Sequence, residues 1–516
     1  MAESVVVFPI KALPGVKRDG TDTEGQYWNS STWMRFYHGL PRSIGGYRVM
    51  SEDYDGPSRG LFIDSRDGLI NIFSGHADGL EVGQFTSTGF GATPVDITPA
   101  GFVTSDDNVW QFAKFATSTG GRLTYLIAHA APNLAAIDSQ TETSVYYGDI
   151  TGTTFTAITL DNTSGKTSGG VMVLHPFVIV YGNNGEVNVS DVGTPGTFVN
   201  TSIFNVCGTK IVKGFPVRGG SASPAGLLWS LESLIRMSFV GGTTVWNFDT
   251  ITDETSILSS SGVVEYDGSY FWIGIDRFLA YSGVVREIPN NLNLDFFFSN
   301  LNYSQRQKVY GFKNQKWGEI VWCAPLFGAT ECNWAIIFNL RENTWYDTPL
   351  PTGGRSAAVT SKIFQYPVMS TATPLDKVNG TGVAYPVWQH EFGVDEVRGN
   401  KVKAIKSSVT TPDLSIVGSG LSGGTLAPSD NVWTMVVKME PDFKMGPELK
   451  INVFTRKFPM SANREKNYTI TNTTEKLDMD GIQGRYIRYE FVSNTQGGYF
   501  IMGQPLVYCR KGDPQP

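Results

Sequence analysis

The sequence predicts an all-β protein built as two successive sheet domains, and three observations lead there. Charged residues make up only 17% of the chain, against ~25% in an average globular protein, while 57 glycines stand well above the usual ~7%. Apolar runs of strand length are separated by Asp-Gly, Gly-Gly and Asn-Gly pairs, with little helical periodicity. Near residue 400 the runs change from apolar on both faces to strictly alternating. With 516 residues the chain is too long for one ordinary core but suits a large repeat domain plus a smaller one.

Residues 1–50 are expected as an N-terminal arm with lead-in strands. The run Val5-Val6-Val7-Phe8 stops at Pro9 and lacks a basic start, so no signal peptide is expected. No stretch approaches the ~20 apolar residues of a membrane span.

From 51 to 397 hairpins recur. "LFIDSRDGLINIF" (61–73) sets Asp67-Gly68 between two apolar runs, and Asp-Gly is a strong hairpin signal. "KFATSTGGRLTYLIA" (114–128) uses Gly120-Gly121, and "FVIVYGNNGEVNVSD" (177–191) turns at Gly182-Asn183-Asn184-Gly185, which accept positive φ cheaply. "VVEYDGSYFWIG" (263–274) turns at Asp267-Gly268, "VYGFKNQKWGEIVW" (309–322) near Asn314, and "NWAIIFNLRENTWYDTPLP" (333–351) at 340–343. The turns lie roughly 25 to 65 residues apart, which suits blades of ~40–45 residues with insertions. The region therefore reads as an irregular, degenerate β-propeller of five to seven blades, with a sandwich as the competing architecture. "LLWSLESLIRMSF" (227–239) fits a helix or a hairpin, and "NYSQRQK" (302–308) a short helix. Trp334 to Phe338 are apolar on both faces, as for a strand between two packed layers. Trp272, Trp317, Trp334 and Trp345 are expected to pack the blades rather than bind a ligand.

From 398 to 516 the texture is that of an antiparallel β-sandwich. In "ELKINVFTRKFP" (448–459) Leu449, Ile451 and Val453 share one face, and in "RYIRYEFVSN" (485–494) Ile487, Tyr489 and Phe491 do the same. The Gly/Ser-rich "VGSGLSGGTLAP" (417–428) reads as a long loop.

Signals for chemistry are sparse. The five histidines show no metal spacing, and HExxH, GxSxG and GxxxxGK[ST] are absent. "WQHEFGVDEV" places His390, Glu391, Asp395 and Glu396 together, which reads as a solvated loop ahead of a cation site. A glycoside hydrolase needs only two carboxylates at the correct separation, but no pair here stands apart from turn residues. Cys207, Cys323, Cys332 and Cys509 follow no zinc or CxxC spacing and read as reduced core thiols, although Cys323 and Cys332 could face each other across a hairpin. The net charge of −7 divides into +5 after residue 397 and −12 before it. A chain that grips DNA would cluster Lys and Arg instead.

Several segments together resemble one family, the tail nozzle or hub proteins of short-tailed bacteriophages, also called packaged-DNA stabilisation proteins. They are "WMRFYHGLPRSIGGYR" (33–48), "LLWSLESLIRMSFVGGTTVWNFDTI" (227–251), "YFWIGIDRFLAYSG" (270–283) and "SNLNYSQRQKVYGFKNQKWGEIVWCAP" (299–325). The 333–351 stretch, "VWQHEFGVD" (387–395) and "GRYIRYEFVSNTQGGYFIMG" (484–503) complete the set. The resemblance implies a non-enzymatic virion protein assembled in the host bacterial cytoplasm. It implies a self-assembled ring, usually of six subunits, below the portal and adaptor proteins and beside tail fibre or needle proteins. Genomic double-stranded DNA would pass through the ring transiently, and an acidic lumen would let it slide. The resemblance assigns no catalytic, cofactor-binding or metal-ligating residue, no cofactor, and no channel-lining residue. A different tail hub or fibre-attachment protein, or a glycan-binding or glycan-cleaving propeller, are the alternatives.

Overall fold

A computed structural model describes the chain except residues 1–4, 23–25, 52, 67, 87–92, 107, 118–122, 133–143, 159, 161–166, 218–223, 243–244, 379, 415–432 and 513–516. The chain is all-β. Six four-stranded antiparallel sheets follow one another along it, at 60–96, 108–157, 170–205, 211–252, 264–287 and 310–349. A seventh, six-stranded sheet takes Ala357–Val359, Val368–Ser370 and Val387–His390, then Tyr47–Ser51 from the start of the chain, then Glu396–Arg398 and Lys401–Lys403. The first strand of each sheet neighbours the first strand of the next, with the fourth and fifth meeting through the 3-10 turn Ser260–Gly262. Ala357–Val359 neighbours Gly60–Arg66 and closes the ring. This is a seven-bladed β-propeller fastened by a strand from its own N-terminal side, so its ring leaves no blade unpaired.

The turns follow the sequence chemistry where they are described. Asp267 and Gly268 both have positive φ (49° and 80°), as a two-residue hairpin turn demands, and Asn184 and Gly185 do likewise (55° and 66°). Asp67, the Gly120-Gly121 pair and the 417–428 stretch lie outside the described residues. The ambiguous 227–239 segment is a hairpin, Ala225–Ser230 against Leu234–Phe239, because both strands are needed to fill the fourth blade. Tyr303–Lys308 is a 3-10 turn capped by Asn302, whose side chain accepts from the Ser304 amide.

The second domain is a β-sandwich whose buried stripes are those of the alternating pattern. Leu449, Ile451 and Val453 are buried on one strand, and Ile487, Tyr489 and Phe491 on its neighbour. Residues 1–50 are expected as a lead-in arm, but several of their described strands between Val6 and Ser43 are woven into this domain, while Tyr47–Ser51 serves the propeller. Val6–Pro9 pairs with Leu506–Lys511, Ser30–Thr32 with Ser407–Thr410, and the hairpin Met34–Tyr37/Leu40–Ser43 with Phe500–Met502. The physical reason is edge satisfaction. Strands of the C-terminal region would otherwise expose unpaired backbone groups.

One hydrophobic cluster is shared by the two domains. Ala335 and Ile337 of blade six pack into the sandwich core, while Ile336 and Phe338 pack into the core between blades five and six. That strand is apolar on both faces because both faces are covered. Cys323, Cys332 and Cys509 are buried free thiols, and Cys207 is a half-buried one. Burial pushes the Cys323 thiol up to about 12. Among the described residues no helix is long and apolar enough to cross a membrane.

Candidate functional site

Of the four tryptophans singled out in the sequence, two lie between blades. Trp272 of blade five meets Trp229 of blade four edge-on, with ring centroids 5.8 Å apart, and its indole N–H donates to the Ser256 carbonyl at 2.9 Å. Trp345 stacks on Phe338 at 4.7 Å, touches Phe278 of blade five at 4.5 Å, and donates to the Pro289 carbonyl at 2.9 Å. The other two sit elsewhere. Trp334 is half-buried at the rim of blade six, against Phe296, Phe327 and the Arg18 guanidinium, and donates to Asp347. Trp317, in a turn of blade six, lies under Arg35 and Arg42 and edge-on to Tyr37, all from the N-terminal hairpin. It packs propeller to sandwich rather than blade to blade.

Trp317 marks one edge of a buried polar junction. The Arg35 side chain is 2% exposed and its guanidinium is shared by two carboxylates from the propeller. Glu319 accepts from Nε at 2.9 Å and from Nη2 at 3.2 Å, and Glu391 accepts from Nη1 at 2.9 Å and also from Nη2. Tyr346 donates to Glu319 at 2.6 Å, and the Asn314 amide donates to both carboxylates at 3.2 Å. Burial opposes the Arg35 charge, but Glu319 and Glu391 outweigh it and hold the proton more tightly than usual. Burial raises the Glu319 carboxyl, with the like charge of Glu391 adding to the shift. Burial works the same way on Glu391, yet Arg35 and the hydrogen bonds around it carry that carboxyl below its ordinary value.

The 390–396 segment carries a loop, exposed at Phe392 and Gly393, and its charged groups are paired rather than left to solvent. Glu391 is spent on Arg35, and His390 is 5% exposed and accepts from the Arg355 guanidinium at 3.0 Å. Asp395 takes the Gly497 amide at 2.8 Å, and Glu396 takes the Tyr47 hydroxyl at 3.0 Å. Among the described residues no group of three or more His, Cys, Asp or Glu could hold a metal ion.

A second feature lies on the propeller axis. A cavity of about 460 Å³ opens at the face where the inner strands begin, and one of about 200 Å³ continues it inward. They share Val109, Gln111 and Gln307 as wall residues. The inner one is lined by the first strands of several blades and by Arg59 and Lys308, both bonded to Glu331 at 2.7 to 2.8 Å. The outer one is lined by Lys210, Arg306, His129, Asn183 and Gln111, while Lys213, on the strand Ile211–Pro216 that follows Lys210, lines the inner one. No Asp or Glu occurs among the described residues lining either cavity.

Sequence reasoning missed both features. Arg35 inside "WMRFY" and Glu319 heading "EIVWCA" were the available signal, since a lone charge in an apolar strand needs a buried partner. For the axis it was "KIVKGF", one lysine ahead of an inner strand and one on it, with no acid nearby in sequence.

No protein-family model matches the chain, and no curated protein matches it. Among solved structures it is similar to BamB from Moraxella catarrhalis, with a TM-score of 0.37 and 11% identity over 74% of this chain and 98% of that one. It is also similar to BBS1N in complex with ARL6DN (0.36, 11%, covering 66% and 94%). An exo-beta-1,3-galactanase from Phanerochaete chrysosporium, with galactose, gives 0.26 and 11% over 90% and 100%. The likeness is one of fold alone.

Proposed function

We propose that this chain is a non-enzymatic structural protein of a short-tailed bacteriophage virion, a nozzle subunit that assembles with copies of itself into a ring. The ring continues the DNA channel below the portal and adaptor, retains packaged DNA and conducts it on ejection. One observation carries the reading. Five of the segments that resemble the nozzle family meet at the propeller–sandwich junction. Arg35 comes from 33–48, Glu319 from 299–325, Tyr346 from 333–351, Glu391 from 387–395, and Gly497, bonded to Asp395, from 484–503. What these segments build together is a fixed angle between two domains, the property a subunit needs if its copies are to close a ring.

The DNA channel belongs to the ring and not to one propeller. Cavities of 200 and 460 Å³ cannot pass a duplex whose major groove alone is ~12 Å wide. No Asp or Glu lines the axial cavities among their described residues, and the −12 of the first 397 residues would suit a ring lumen that repels phosphate. A glycan-cleaving propeller would place two facing carboxylates in a cleft, and the axial cavities offer none among their described residues.

Electron micrographs of the purified protein and of tails should show a ring with an axial hole. Particles assembled without the protein should lose their genome. A protein that stays monomeric on the particle, or full and stable heads without it, would defeat the reading.

A further inference from the structure

We propose that the two adjoining axial cavities of the propeller form a binding site for a small phosphate-bearing anion, held by Lys210 and Arg306 of the outer cavity and Lys213 of the inner one. The inference rests on the chemistry of these cavities and is independent of the ring.

The outer cavity has the volume of a small-molecule site, which runs from ~300 to ~1,000 Å³. Its wall is polar and cationic. Lys210 is half-buried and Arg306 exposed at the mouth, and neither side chain has an ion-pair partner among the described residues. Lys213 lines the adjoining inner cavity, on the strand Ile211–Pro216 that begins just after Lys210. Its ammonium has one long hydrogen bond, 3.4 Å to Gln111 Oε1, and leans toward the Phe215 ring at 5.1 Å. Gln111 is fixed in place. Its amide donates to the Gly169 and Val212 carbonyls at 2.8 and 3.2 Å, and its oxygen also accepts from the Tyr181 hydroxyl at 3.2 Å. Gln111 therefore orients Lys213 without neutralising it.

The neighbouring cations Arg59 and Lys308 give the contrast. Both face the inner cavity, and Glu331 binds both of them. Lys213, which lines that same cavity, and Lys210 and Arg306 beside it have no carboxylate bonded to them among the described residues. Burial alone pushes the Lys210 and Lys213 amines down to about 8, with no carboxylate acting against it. An oxyanion between them would supply the missing charge, and charge-assisted hydrogen bonds to phosphate are the strong kind. His129 does not compete for the anion. Its Nε2 bonds the Thr167 carbonyl at 2.6 Å, and burial, aided by both lysines, keeps the ring neutral.

The test is calorimetric titration of the full chain at moderate salt with two probes, inorganic phosphate and a nucleoside 5′-monophosphate. Saturable one-to-one binding of phosphate itself assigns the site to the free anion. Binding of the nucleotide alone assigns it to the phosphate of a larger molecule. Lys210→Met and Lys213→Met should each weaken the binding by roughly ten-fold or more, while Lys476→Gln on the sandwich should leave it unchanged. In phosphate-free buffer both Met variants should melt at or above the parent temperature, because an unmatched cation has been removed. Failure of both probes to bind, or loss of stability in the phosphate-free Met variants, would overturn the proposal. So would a short DNA duplex that displaces phosphate, since a backbone at the cavity mouth would then be the ligand.

Discussion

Arg35 and Lys213 are both cations drawn away from bulk water, yet the molecule treats them in opposite ways. Arg35 sits where the sandwich meets the propeller and is met by two carboxylates, to which a tyrosine hydroxyl and an asparagine amide also donate. Lys213 sits on the propeller axis with one long bond to a neutral amide. A buried charge left unpaired is costly, so a chain that can pair one fully and leaves another unmatched is using them differently. The matched cation fixes geometry. The unmatched one awaits a ligand.

Truncation of Arg35 is the strongest way to break this comparison. Arg35→Ala strands Glu319 and Glu391 against each other in a dry junction, and the expected loss is ~5 kcal/mol, read from denaturant unfolding. A midpoint like that of the parent would show that water reaches the junction and that Arg35 is no more structural than Lys213.

Packing supplies the next contrast. Trp345, 3% exposed and covered by Phe338 and Phe278 across two blades, should cost ~4 kcal/mol on replacement by Ala. Trp334, half-buried at the rim, should cost ~2 kcal/mol, about half the burial term. Equal losses in thermal unfolding would mean that the two rings share one environment, contrary to the contacts.

These residues also show how far the sequence could be read. Strand periodicity, turn pairs and the change of texture near residue 400 depend on local chemistry, and they led to propeller, sandwich and the buried stripe of Leu449, Ile451 and Val453. The placement of Trp272 and Trp345 followed from the same local logic. The fate of residues 1–50 did not, because pairing of Val6–Pro9 with Leu506–Lys511 spans nearly the whole chain and leaves no local mark. Glu391 was misread for the same reason. In "WQHEFGVDEV" it looks solvated, and Arg35, 356 positions away, with Asn314 draws it into the junction. Trp317 carries no sequence sign that its partner is the N-terminal hairpin rather than a blade. Charges and aromatics are legible as buried or exposed only when their partners are near in sequence.

Acid sharpens the comparison from the side of neutral groups. Burial holds His129 near a pKa of about 4, below the ~6.5 of an unfolded chain. The unfolded state therefore binds the proton first, and stability present above pH ~6.5 is lost as pH falls toward 4. At pH 5 that amounts to on the order of 2 kcal/mol. His129→Gln, which can still donate to the Thr167 carbonyl, should flatten the stability profile between pH 7 and 5 relative to the parent. An unchanged slope would assign the acid sensitivity to His390, whose ring burial and Arg355 also keep neutral, or to the carboxylates.

The smallest effect is the most direct probe of the unmatched cations. Lys210 and Lys213 have amines near 8, against ~10.4 in an unfolded chain. Between those values the unfolded state holds more protons than the folded one, so stability must rise with pH across the window from about 8 to about 10. The slope is shallow because both side chains touch water in the cavity. Bound phosphate reverses the balance. An anion beside the two amines favours their charged forms, so in saturating phosphate the rise should vanish, and the ligand's own stabilisation should fade as pH climbs past the amine values. Arg35 offers no such lever, because Glu319 and Glu391 keep its proton in place throughout this range. Chemical denaturation at pH 7.5, 8.5 and 9.5, with and without phosphate, therefore separates the two cations within one molecule. A rise that survives in phosphate, or in Lys210→Met and Lys213→Met together, would mean that the axial lysines carry no part of it.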